Sequence, residues 1–112
     1  MNAAEHYAYR VVWSATEAAF IGSVAELPAL TATAATAEEA FTQIRSLASD
    51  AVADLAGRGM PVPVPYADRD YSGRFQVRVP PEMHRRLTIE AAEQSISLNR
   101  LVVSRLSSRR PR

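Results

Sequence analysis

Residues 74–79, Arg-Phe-Gln-Val-Arg-Val, alternate polar and apolar side chains and then run into Pro80-Pro81. This is the period of a β-strand. No neighbour in sequence can pair with it: a polar loop precedes it and a helical pattern follows. A strand this short does not hold itself together in water, because its backbone N–H and C=O groups need partners. Whatever this chain folds into has to supply a partner for that strand.

The residues that follow narrow the choice. Pro80-Pro81-Glu82 starts a helix, with proline favourable at the first helical position. Met83, Leu87 and Ala91 form an apolar stripe flanked by Ile89 and Ala92, and the pattern fades at Gln94-Ser95. Ser97 is a good N-cap for a second helix, in which Leu98, Leu101, Val102 and Leu106 recur at helical spacing. One strand and two helices in about forty residues are too few to bury a core alone. The chain has no cysteine to staple them and no evident metal site.

A second copy answers both needs. Two strands pair antiparallel, and four helices enclose Phe75, Val77, Val79, Leu87, Leu98 and Val102 as a dimer core. The pleat then puts Arg74, Gln76 and Arg78 together on the other face. A two-stranded ribbon fits the DNA major groove, where Arg pairs bidentately with guanine and Gln with adenine, so these three are the candidate base readers. The backbone N–H groups at Ser97, Leu98 and Asn99, opening the second helix, are the candidate phosphate holders. A strand whose Arg and Gln merely face solvent explains the alternation but not the basic surroundings. His84, Arg85 and Arg86 read as a solvated helix face with weak phosphate contacts at most.

Those surroundings appear once the net charge of +1 is divided. Residues 1–70 carry nine acids and four arginines; residues 71–112 carry three acids and nine arginines. An acidic half and a basic half point to different partners, the basic one to nucleic acid.

The acidic half reads as a small sheet with one helix. His6 to Ser14 is rich in aromatic and β-branched residues and reads as a strand, and Ala19 to Val24 as a second, joined through a Thr16-Glu17 turn. Glu26-Leu27-Pro28 ends it, and Leu30 to Ala34 is a weaker third strand. Thr36-Ala37-Glu38-Glu39 has the form of a capping box. Phe41, Ile44, Leu47/Ala48, Ala51/Val52 and Leu55 then mark one helix face, stopped by Gly57 and Gly59. Trp13 reads as a core aromatic. Pro61, Pro63 and Pro65 impose extended backbone, with Met60 to Val64 read as a short edge strand and Asp68 to Gly73 as a tether.

Catalysis is not expected. The centre of the first strand has no acid, Asp50 and Asp54 read as a solvated helix face, and His6 and His84 form no triad or metal cluster. No catalytic residue, metal, cofactor or small-molecule substrate is expected. No apolar run reaches the ~20 residues of a membrane helix, and no signal peptide is evident, so no membrane partner is expected and the expected location is cytoplasmic, on the nucleoid.

The segment Ser72 to Leu106 resembles the ribbon-helix-helix DNA-binding region of HicB antitoxins. The marks are Ser72-Gly73-Arg74-Phe75, Arg78-Val79-Pro80, His84-Arg85-Arg86-Leu87, Glu90-Ala91-Ala92 and Ser97-Leu98-Asn99. The N-terminal half is similar to the HicB body, a partial RNase H-like fold without nuclease function. Its marks are Tyr9 to Trp13, Glu26-Leu27-Pro28, Thr36 to Ala40 and the Pro61/Pro63 exit. The resemblance implies an N-terminal domain that masks HicA, a small ribonuclease toxin, and a C-terminal dimer that represses the operon from its operator. Where the family often has glycine, Ala29-Leu30 and Ala34-Ala35 stand here.

The expected fold class is therefore α+β. A partner-binding domain over 1–66, with a small antiparallel sheet and one helix, is followed by a linker over 67–73. A ribbon-helix-helix domain over 74–107 and a disordered tail over 108–112 complete it. The expected function is that of an antitoxin with a HicA-like toxin and double-stranded operator DNA as partners, acting as a homodimer or homotetramer. The alternative is a stand-alone regulator without a toxin.

Overall fold

The computed structural model describes residues 2–108. Residues 109–112 of the expected tail lie outside the described residues. The chain is α+β: a three-stranded antiparallel sheet and three α-helices. It divides into two compact units, one running to Ser72 and the other starting at Gly73.

In the first unit, β1 (Tyr9–Ser14), β2 (Ala19–Val24) and β3 (Thr31–Ala34) lie in the order β1-β2-β3. The register pairs Tyr9 with Val24 and Trp13 with Phe20, and on the other side Phe20 with Ala34. β1 starts later than the sequence reading placed it. Ala3–His6 instead forms a short 3-10 helix, capped by the Asn2 side chain, which accepts from Ala4 N–H at 2.8 Å. That local bond competes with extended backbone and wins over the strand pattern. The hairpin turns through Ala15–Ala18, with Ala18 left-handed at φ +51°.

One face of the sheet carries α1 (Ala37–Gly57). Thr36 caps it by accepting from Glu39 N–H at 3.2 Å; the return bond from the Glu39 carboxylate is not made among the described residues. The buried stripe of α1 is Ala40, Ile44, Ala48 and Val52, while the larger Phe41 and Leu47 stay partly exposed on its flanks. Gly22 explains that choice. A Cβ on Gly22 would lie 2.8 Å from the Ala40 carbonyl and 3.0 Å from the Ile44 side chain, so helix and sheet touch backbone to backbone. The close approach falls at Gly22 and Ala40, with the Ile44 side chain packed beside it. α1 ends in a Schellman turn: Met60 N–H reaches the Leu55 carbonyl at 2.9 Å and Gly59 N–H the Ala56 carbonyl at 3.1 Å, with Gly59 at φ +68°. Asp50 and Asp54 lie on its exposed face, where Asp54 is ion-paired with Arg58.

Two readings of side chains change. Trp13 is not core: it is 55% exposed, with its ring edge-on to Phe20 at 5.1 Å between centroids. Met60 to Val64 adds no strand to the sheet. The alternate prolines take away the N–H groups that a ladder needs. Instead Val62 packs against the core formed by Ala4, Tyr7, Val24, Ala32, Ile44, Ala48 and Val52, and the Tyr7 hydroxyl donates to the Pro63 carbonyl at 2.7 Å.

The one buried acid, Glu26, holds this corner together. One carboxylate oxygen accepts from Ala8 N–H and the other from Tyr66 N–H, both at 2.9 Å. The approach to β1, the exit of β2 and the chain after the prolines meet on a single side chain. A buried carboxylate is tolerable only with such bonds. Outside it, the His6 ring nitrogen lies 2.7 Å from Asp68.

Gly22→Ala should cost about 1–3 kcal/mol, because the added methyl meets backbone rather than a side chain able to move; urea unfolding measures it. A second outcome concerns pH. The hydrogen bond to Asp68, and then its charge, raise the His6 pKa above 6.5. The proton is held more tightly in the folded chain, so the stabilisation is full below 6.5 and fades as pH rises through the raised value. The urea midpoint should fall across that window, and Asp68→Asn should remove this part of the slope.

Candidate nucleic-acid interface

The second unit holds α2 (Pro81–Glu93) and α3 (Leu98–Ser107). α2 opens on Pro80 as N-cap with Pro81 in the first turn. It closes in the same Schellman geometry as α1, with Ile96 N–H on the Ala91 carbonyl at 3.0 Å and Ser95 N–H on the Ala92 carbonyl at 3.1 Å. The left-handed position that glycine fills in α1 is filled here by Ser95, at φ +57°. Two residues later Ser97 caps α3, its hydroxyl accepting from Arg100 N–H at 3.0 Å. Leu101 N–H bonds the Ser97 carbonyl at 3.0 Å. The N–H groups of Leu98 and Asn99, in the first turn, have no partner within a helix and point out of its end.

Residues 74–80 join no helix and no ladder in the described chain, and every one of them is exposed. Phe75 is 76% and Val77 67% exposed, values far outside the habit of such residues in a finished fold. Between the helices, Ala91 and Leu101 are the only buried hydrophobic residues of this unit among those described. Eight other apolar side chains line an open groove of about 800 Å³. Phe75, Val77, Val79, Leu87, Leu98 and Val102, the six expected as dimer core, all contribute to it. Val103 and Leu106 extend it, and Arg78, His84 and Asn99 also line it. Arg74 and Gln76 do not.

The basic residues divide by what they touch. Arg105 is ion-paired with Glu90 across the two helices, and Arg85 lies 3.9 Å from Glu82 on the exposed face of α2. Thr88 donates its hydroxyl to the His84 carbonyl at 2.9 Å, a bond internal to α2. Ser97, Leu98 and Asn99 are brought together at one helix end, while Arg74, Gln76 and Arg78 are spaced along one extended segment.

Residues 62–106 match the model of the HicB family. The match covers less than half of the chain. It takes in the groove, both helices and the proline-rich exit, and leaves the sheet and α1 outside. No curated protein and no solved structure matches the chain. No helix among the described residues is long and apolar enough to cross a membrane.

Sequence reasoning missed Glu26. It lies in the Glu-Leu-Pro segment, which reads as the end of a strand and as a mark of the resemblance, and nothing local tells a buried acid from a solvated one. Val103 and Leu106 were legible as apolar positions, but their share in the groove depends on how α3 is rotated.

Ser95→Gly should raise stability by about 0.5–1 kcal/mol, the relief of a left-handed L-residue less the entropy that glycine loses on folding. Thermal unfolding at fixed protein concentration tests this, and a destabilised variant would mean that the Ser95 side chain makes an interaction of its own.

Proposed function

We propose that the protein is an antitoxin-type repressor: a dimer whose C-terminal units form a ribbon-helix-helix that reads operator DNA, and whose N-terminal unit binds a HicA-like toxin. The observation that carries the reading is the exposed apolar segment Phe75-Gln76-Val77-Arg78-Val79 set against an open apolar groove. A second copy of the segment supplies the missing ladder, and a second pair of helices fills the groove. Pairing the segments turns Phe75, Val77 and Val79 inward and presents Arg74, Gln76 and Arg78 outward. Bases are read by those three, and one phosphate on each side rests on the Leu98 and Asn99 N–H groups. No step requires catalysis, a metal or a cofactor.

A stand-alone regulator is the second reading. One observation favours it: the HicB match leaves out β1–β3 and α1, the part that would hold a toxin. A neighbouring reading frame for a small basic domain with a strand-borne histidine separates the two readings.

Arg78→Ala should lose about 1–3 kcal/mol on the cognate site and much less on random DNA. Equal losses on both, measured by fluorescence anisotropy at fixed salt, would reduce Arg78 to a phosphate contact. Sedimentation should show dimers or tetramers at micromolar concentration; a folded monomer there would overturn the shared ribbon.

A further inference from the structure

We propose that residues 62–71 are a latched strap, so that the tether joining the two units has a short and a long state. In sequence this stretch reads as the end of the first domain, with Met60 to Val64 a short edge strand, followed by a linker from residue 67. In the structure it is fastened to the first unit at several points. Val62 packs on the core, Pro63 accepts from the Tyr7 hydroxyl, and Tyr66 N–H donates to the buried Glu26. Asp68 meets His6 at 2.7 Å. The strap is also tied to itself. Arg69 donates to the Val64 carbonyl at 2.9 Å and lies 4.0 Å over the Tyr66 ring, and the Tyr71 hydroxyl donates to the Tyr66 carbonyl at 2.8 Å. Closed, the tether begins after Tyr71.

The same contacts explain why the strap can open without unfolding the sheet. It shares no ladder with any strand. Three of its backbone positions, or their immediate neighbours, are prolines with nothing to donate. Its hold on the unit rests on a few side chains, whereas α1 is locked by a buried stripe and by backbone contact at Gly22. Release at Glu26, Tyr7 and His6, with Val62 leaving the core, frees the chain from Pro61 onward. Opening adds the ten residues 62–71, about 35 Å at full extension, to the chain between the units. Such a change alters the effective concentration at which one unit meets a site already held by the other. This inference stands whether or not the second unit reads DNA.

Amide hydrogen exchange on the full chain, followed residue by residue by NMR, tests the strap. The Tyr66, Asp68 and Arg69 amides are expected to be protected and to open together, more readily than the Ile44 and Ala48 amides of α1. Glu26→Gln should speed exchange at Tyr66 by roughly tenfold or more while leaving α1 protected. Tyr7→Phe, which removes only the bond to Pro63, should act in the same direction and serves if the first variant does not fold. Exchange at Tyr66 at the rate of an unstructured peptide would show that no latch exists. Exchange there only at the rate of α1 would show that the strap never opens by itself. Either result overturns the proposal.

Discussion

The second unit brings two helices together over Ala91 and Leu101, and those two small contacts set what the rest of that unit must do. Burial of a Leu and an Ala removes too little apolar surface from water to offset the entropy of ordering some thirty residues. The side chains that would complete the core are present, but they are spread along an extended segment and the open side of two helices. Surface of this kind is stable when it is covered. The proposed second copy would cover it with no new sequence and would give the extended backbone its hydrogen bonds, so that one association would meet the hydrophobic demand and the polar one together.

The first unit solves its own shortage differently. Its sheet is short and α1 covers one face only, so the unit gains from close approach rather than from bulk. Gly22 lets the helix backbone come down onto β2, and the alanines of α1 follow from that. The corner left over, where the 3-10 helix, the end of β2 and the proline segment converge, is closed by Glu26. An apolar side chain there would leave the Ala8 and Tyr66 N–H groups without acceptors. A neutral amide has one acceptor oxygen where two are used. Both oxygens of the carboxylate are occupied.

Much of this was legible in the sequence, and the reason is local. The Thr36 and Ser97 caps, the proline start of α2, the Thr16-Glu17 hairpin and the stop at Gly59 each depend on a few adjacent residues, and each stands where the pattern put it. Ser95 stands where the resemblance leads one to look for glycine, and it takes up the left-handed conformation at φ +57°. What failed depended on distance in the chain. Trp13 has the composition of a core residue, yet it is exposed beside Phe20. Met60 to Val64 has the alternation of a strand, but prolines at the donor positions turn it into packing. In the candidate interface the apolar alternation was readable. That Arg78 joins the groove lining while Arg74 and Gln76 stay out of it was not, since that depends on how the segment lies against the helices.

The boundary of the family match and the boundary of the folding units do not coincide, and the difference is informative. The match begins at Val62, inside the strap, whereas the units part at Ser72 and Gly73. Residues 62–71 are therefore grouped with α2 and α3 by the family match and with the first unit by their hydrogen bonds. A segment serving only as a spacer would need neither an acid waiting for its Tyr66 N–H nor a tyrosine waiting for its Pro63 carbonyl. The two halves of the proposed function consequently rest on different residues. DNA reading rests on the groove and extended segment inside the match. Toxin binding rests on a sheet and helix outside it, joined to the matched region by the strap.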